Sequence, residues 1–328
     1  MNDAISIRNR ILRGLALNRT PGYHFTGNFL SLSFEKNTEQ EARLSMAAGP
    51  HNIEPNGNVS YGALAVLADI ALAANVRAGH TPASRLATVQ MNLQFTGAPI
   101  TGRLQAVSGL QTYVQDITSV QGAGQVTVSA NGKTVCHGVG TFMVLNPPKG
   151  VALYPMTHRN DSDPEAALLR EDELQRDERR VLAIADAALA AAQKGGTFIR
   201  HFWGYDTHAV TGGASGKLKN GPHVGNRVGH LQGGVTMGLG IATAEAALPA
   251  SWMLSAVTAW YISPGQGRVI RARSRIVHHG RLTAVGRAAA DAGIRPGDII
   301  TGAEGAPGEL LALVDDDLRR VATLRVTK

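Results

Sequence analysis

One stretch of the chain occurs twice, and this constrains the fold more than any other feature. In each copy a loop rich in Gly and polar residues leads into a helix of small apolar residues. The first copy reads HNIEPNGNVSYG followed by ALAVLADIALAANVRA, and the second PHVGNRVGHLQGG followed by VTMGLGIATAEAA. At an offset of 172 positions Gly57 falls on Gly229, Gly62 on Gly234 and Leu67 on Leu239. At a slightly smaller offset GRLQAVS at 102 falls on GRVIRAR at 267. A repeat this long indicates a duplicated domain, since solenoid units are shorter. The length of 328 residues also suits about two domains.

The order of elements is similar in the two halves. Residues 4–17 place Ile5, Ile7, Ile11, Leu12 and Leu15 at helical spacing. Residues 25–46 alternate around a polar turn at Glu35 to Gln40, which predicts two strands. A small-residue helix follows from Tyr61 to Ala78, then strands over 86–95, 103–115, 125–130 and 134–145. The dipeptide Asn131-Gly132 between the last two is a hairpin signal. Pro, Gly and polar residues over 146–165 read as a linker, and 164–193 as a helix with an acidic start. In the second half a helix is expected over 235–247 and strands over 254–262 and 268–277. The resulting division is a first domain at 1–146, linker and helix at 147–195, a second domain at 196–286 and a tail at 287–328.

With 44% hydrophobic and 17% charged residues the chain has material for a core. The formal charge of +7 favours anionic partners. No basic patch interleaves with aromatic residues, so a nucleic-acid module is not expected. The single cysteine, Cys136, excludes an internal disulfide or a thiolate zinc site, and its place in a strand pattern is a core position. His201, His208, His223 and His230 lack metal-ligand spacing, so no metal is expected. The N-terminus has no uninterrupted apolar run, and the most apolar stretch, 61–76, carries Asp69 in its middle. The expectation is a soluble cytoplasmic protein with no membrane partner.

The two loop–helix junctions hold the candidate chemistry. Glycines at a helix start let a ligand approach the backbone, where free N–H groups and the helix dipole meet an oxyanion or polarise a carbonyl. For Gly233-Gly234 taken alone, tight helix packing explains the pair better. Asp69 is different. It sits in a helix that is apolar on all sides, where a carboxylate is costly unless paired or used. Burial would raise its pKa and suit a base or nucleophile.

The loop Glu54-Pro55-Asn56-Gly57, with Gly62 and Asp69, and the loop Asn226 to Gly234 each match part of one pattern. That pattern is Asn-Pro-x-Gly-x-x-His-Gly-Gly followed by an apolar helix with an Asp. It resembles the hotdog-fold acyl-CoA thioesterases of the phenylacetate-pathway and 4-hydroxybenzoyl-CoA type, over roughly 25–145 and 195–285. The resemblance implies an α+β chain of two tandem hotdog domains, each an antiparallel sheet wrapped around a central helix, forming an intramolecular pseudo-dimer. It implies hydrolysis of an acyl-CoA thioester, coenzyme A entering as part of the substrate and no separate cofactor. In this family the site lies between two subunits. Gly62 and Asp69 are seven residues apart, about 10 Å along a helix, so one thioester carbon cannot touch both. Antiparallel central helices bring the start of one beside the middle of the other. The second copy has Ile241 at the acid position and Asn226 where the first has Glu54. Asp69 opposite the second loop therefore gives one complete site, and the reverse pairing gives none.

The implied roles are these. The Gly233 N–H and the helix dipole polarise the carbonyl, Gln232 or Asn226 orients carbonyl or water, and Asp69 attacks or activates water. Gly234 and Gly229 shape the binding surface. Arg271 and Arg273, in the basic strand at 268–279, either grip coenzyme A phosphates or form a solvated face. Glu245, one turn past Ile241, is expected to face solvent. The alternative function is an acyl-CoA or acyl-carrier binding protein without catalysis, favoured by Ser60 and Gln232 standing where the pattern has His. A homodimer of the chain is a further expectation, as is a role in lipid metabolism. The tail departs from the pattern: Ala292 to Ile300 resembles part of a PDZ domain. The tail either supplies replacement strands over 297–302 and 321–327, or packs as an appendage, or leaves the second sheet truncated.

Overall fold

The computed structural model describes residues 3–81, 84–115, 119–146, 149–150, 152–279 and 283–291, and strand backbone at 299–301, 310–313 and 322–327. Helix α1 (Asp3–Asn18) is followed by α2 (Phe25–Phe29), strands β1 (Ser33–Asn37) and β2 (Ala42–Ala47), and the long helix α3 (Tyr61–Ala78). Strands β3 (Arg85–Phe95), β4 (Arg103–Gln115), β5 (Val120–Ala130) and β6 (Lys133–Leu145) complete the first half. Then come α4 (Arg176–Ala192), α5 (Phe198–Trp203), β7 (Asp206–Val210), β8 (Gly213–Lys219) and the second central helix α6 (Gly233–Glu245). Strands β9 (Met253–Trp260), β10 (Val269–His279), β11 (Thr283–Asp291), β12 (Ile299–Thr301), β13 (Leu310–Leu313) and β14 (Ala322–Thr327) follow.

Twelve strands form one sheet in the order β1-β2-β4-β5-β6-β3-β9-β14-β11-β10-β8-β7. Read outward from the centre, the halves have the same topology, β3 matching β9, β6 matching β14 and so on to the edges. They join where β3 runs antiparallel to β9, with Gln90 opposite Trp260 and Asn92 opposite Thr258. Helix α3 packs on β2 to β6, and α6 on β8, β10, β11 and β14. Period-two burial gives each sheet its inner face: Leu104, Ala106 and Ser108 on β4 point inward, as do Ile270, Ala272 and Ser274 on β10. The two inner serines do matching work. The Ser108 hydroxyl donates to Ala71 O at 2.7 Å, and that of Ser274 to Thr243 O at 3.1 Å, fastening each sheet to its own helix.

Small residues let the helices approach closely. A Cβ on Gly238 would lie 2.8 Å from the Gly62 Cα, and one on Gly234 would lie 2.4 Å from the Val66 nitrogen. These paired approaches make α3 and α6 antiparallel. By length and a hydropathy of 1.3, α3 would suit a bilayer, yet 83% of it is buried inside the protein. The chain is thus an α+β double hotdog, two sheets each wrapped on a central helix and continuous with one another.

Three expectations are corrected. FTGNF, read as strand from its alternation, is the short helix α2, capped by His24 Nδ1 accepting from the Gly27 N–H at 3.3 Å. Its counterpart is α5, and together they pack Phe29 against Phe202 between the halves, ring centroids 4.9 Å apart and planes tilted by 52°. The helix expected over 164–193 begins only at Arg176, after a 3-10 turn at Glu171–Glu173. In the tail, the two expected strands part company. Strand β14 enters the main sheet between β11 and β9, the place β6 holds in the first half, whereas β12 pairs only with β13 in a separate two-stranded sheet. Most of the PDZ-like stretch, 292–298, lies outside the described residues.

Candidate active site

Both central helices begin with a side-chain cap at equivalent positions. Ser60 Oγ accepts from the Ala63 N–H at 3.2 Å, and Gln232 Oε1 from the Val235 N–H at 3.0 Å. Ahead of each cap a tight loop closes through one bridge, Ile53 with Val59 and Gly225 with Leu231. Gly57 and Gly229 turn these loops at φ +80° and +79°, a conformation that favours glycine. The loops also bury a matching histidine each. His51 is 2% exposed, edge-on to Phe29, and His223 is 4% exposed, edge-on to Phe202.

The longer Gln232 side chain does more than cap. Its Nε2 donates to Asp69 Oδ2 at 2.6 Å, from one half of the molecule to the other. Thr88 on β3 donates to Asp69 Oδ1 at 2.8 Å. A Cβ on Gly233 would lie 3.2 and 3.3 Å from the two Asp69 carboxylate oxygens, so the start of α6 sits against the carboxylate. Tyr261, after β9, steadies that turn by donating to Gly233 O at 3.0 Å. Asp69 is 6% exposed. Burial pushes its carboxyl up to about 6, against the pull of Thr88, Gln232 and the charge of Arg77. The group is therefore a carboxylate at neutral pH but a basic one. Beside it Gln232 caps the Val235 N–H, while the Gly233 and Gly234 N–H groups at the start of α6 have no intrahelical acceptor, which is the geometry for a carbonyl or oxyanion.

The structure thus brings together Asp69, Gln232 and Gly233. Gly234 lies against Val66 and serves the helix crossing. Asn226 stays in its own loop, its Oδ1 accepting from the Val228 and His230 N–H groups at 3.0 and 3.1 Å. Of the two candidates for orienting a bound group, only Gln232 touches Asp69. Arg271 and Arg273 are exposed on the face of β10 opposite Ala272 and Ser274, away from α6. Glu245, expected to face solvent, is half-buried. Burial lifts it to about 7, Arg200 pulling down and Glu54 pushing up. Ile241 is 2% exposed, so the mirrored position carries no acid at Asp69's level. Cys136 is buried, its thiol pushed up to about 12. Among the described residues no cluster of metal-ligating side chains is present.

Thr88 and Tyr261 were not identifiable beforehand, because each reaches the site through strand register rather than local sequence. His51 and His223 had a signal, since they share the 172-residue offset.

Solved structures resemble the chain along most of its length. A candidate thioesterase from Novosphingobium aromaticivorans matches with a TM-score of 0.50 at 13% identity, over 90% of this chain and 97% of its own. A candidate oleoyl thioesterase from Lactobacillus plantarum gives 0.49 at 9% identity, over 90% of this chain and 98% of its own. A Bacillus halodurans protein solved with CoA gives 0.35 at 20% identity, over 47% of this chain and 95% of its own. No protein-family model and no curated protein matches the chain.

Proposed function

We propose that the chain hydrolyses an acyl-CoA thioester to the free acid and CoA at one site between its halves. The observation that carries this reading is the buried Asp69 carboxylate of α3 against the first turn of α6. The thioester carbonyl oxygen would point at the N–H groups of Gly233 and Gly234, where the helix dipole stabilises the developing oxyanion. Asp69 then acts in one of two ways. As general base it takes a proton from water while the water oxygen adds to the carbonyl carbon. The tetrahedral intermediate expels the thiolate, which recovers the proton. As nucleophile its oxygen forms an anhydride, the thiolate leaves, and water hydrolyses the anhydride. Both routes use the ionised carboxylate, so activity should rise with pH through about 6. Gln232 holds Asp69 in place across the interface.

One observation favours the alternative, acyl-CoA or acyl-carrier binding without turnover. Both Asp69 oxygens already accept hydrogen bonds from the protein, as in a structural carboxylate. Thiol release from short, long and aryl acyl-CoA esters separates the two. Turnover of any of them supports hydrolysis. Tight binding without thiol release assigns the site to binding alone.

A further inference from the structure

Arg77 lies two turns past Asp69 on α3 and is 8% exposed. Its Nε donates to Ser84 O at 3.4 Å, and no other hydrogen bond from this guanidinium occurs among the described residues. Arg227, from the loop ahead of α6, donates to the same carbonyl at 3.2 Å and to Tyr154 O at 2.7 Å. Two guanidinium groups therefore converge on one carbonyl oxygen. Among the described residues neither makes an ion pair with a carboxylate. The one carboxylate whose charge acts on Arg77 is Asp69. The nearby imidazoles supply no negative charge, and burial and these same arginines hold His24 and His158 down at about 4, so they add no further positive charge at physiological pH either.

A buried cation beside a second, half-buried one is costly without an anion. The repeat shows that the fold does not require them: at the 172-residue offset Arg77 corresponds to Pro249 and Arg227 to Pro55. The pair occurs only in the half-interface that holds Asp69. Arg227, the half-buried member of the pair, is reachable from outside, because it lines an open cavity of about 480 Å³ with Tyr23, His24, Asn226 and Arg268, and no acidic residue lines it.

We propose that Arg77 and Arg227 are a specificity arm of the Asp69 site that holds a negatively charged group of the bound thioester. The anion is either a carboxylate at the far end of the acyl group or a phosphate of the carrier. The proposal rests on the thioester reading of the site. Arg77 touches no reacting atom in it and sets which esters are accepted.

The test compares two ratios of kcat/KM. The first sets glutaryl- and adipyl-CoA against butyryl- and hexanoyl-CoA. The second sets each acyl-CoA against the same acyl group on pantetheine, which lacks phosphate. An acyl carboxylate partner predicts a first ratio above ten that falls at least tenfold in Arg77→Met and is partly rescued in Arg77→Lys. A carrier phosphate partner predicts that the second ratio falls at least tenfold while the first stays put. A role confined to tuning Asp69 shifts the pH profile of all esters alike and moves neither ratio, which overturns the proposal. Should Arg77→Met not fold, Arg227→Gln carries the same comparison. Should no ester turn over, calorimetric dissociation constants of the matching thioether analogues give both ratios. Failure of hydrolysis is then distinguished from failure of the anion arm.

Discussion

Asp69 is buried and has a donor on each oxygen, yet its carboxyl stands near 6 because desolvation outweighs both hydrogen bonds. The balance is adjustable through Gln232. Gln232→Glu keeps an oxygen for the helix cap, removes the donor to Asp69 and adds a like charge. The ascending limb of the pH–rate profile should move at least one unit upward, measurable as kcat/KM from pH 5 to 9. Gly233→Ala tests the space beside the carboxylate. Its Cβ would meet Thr88 Oγ1 at 3.1 Å and Asp69 at 3.2 Å, so activity should fall tenfold or more with little change in melting temperature. Asp69 itself was legible in the sequence, as a charge in an otherwise apolar helix. Asn226 was legible as a motif residue but not in its role, because an Asn side chain bonds its own loop as readily as it reaches a neighbour.

At the scale of elements, α6 holds glycines with opposite consequences. At Gly234 a Cβ would press on Val66 backbone at 2.4 Å, and at Gly238 on the Gly62 Cα at 2.8 Å. Alanine at either should destabilise by about 1–3 kcal/mol or more, since backbone cannot step aside. Gly240 is buried with nothing within 4 Å of a Cβ. Gly240→Ala should raise stability by up to about 1 kcal/mol through helix propensity. Thermal melts of the three variants check the contrast. The repeat made both central helices legible, with α3 at the expected residues 61–78. The matched helices α2 and α5 were not legible, because five or six residues carry too little periodicity to separate helix from strand. A histidine cap and an aromatic contact from the other half decide α2.

At the scale of the whole molecule, β14 joins β9 to β11 and so keeps the second sheet continuous with the first. Deleting residues 322–328 should therefore unfold the second half and abolish any activity at a site that needs Gln232, which hydrogen exchange and thiol-release assays would read. Its alternating ATLRVT is strand-like, but its partner β11 lies beyond the separate β12–β13 pair, a distance no local pattern encodes. Titration acts at this scale too. Burial holds His24, His158 and His223 at about 4 and lowers His51 as well. Each binds a proton more readily when unfolded, so their contribution to stability is lost as pH falls from the unfolded value near 6.5 toward 4. Asp69 and Glu245, raised to about 6 and 7, act in the opposite sense and lose stability as pH rises above 4. With five lowered histidines, His230 included, against three raised carboxyls, Glu54 included, the melting temperature should climb between pH 4 and 6.5, and His51→Phe with His223→Phe should flatten the climb.

The central claim is that one carboxylate, presented by the first half to a helix start of the second, performs thioester hydrolysis. Its most direct test is kcat/KM against pH for the best acyl-CoA ester, with wild type and Asp69→Asn side by side. The account predicts a wild-type rate rising through about pH 6, and a folded variant lower by about 10² to 10⁴ with that limb gone. A variant that keeps wild-type turnover and the same pH profile would contradict it.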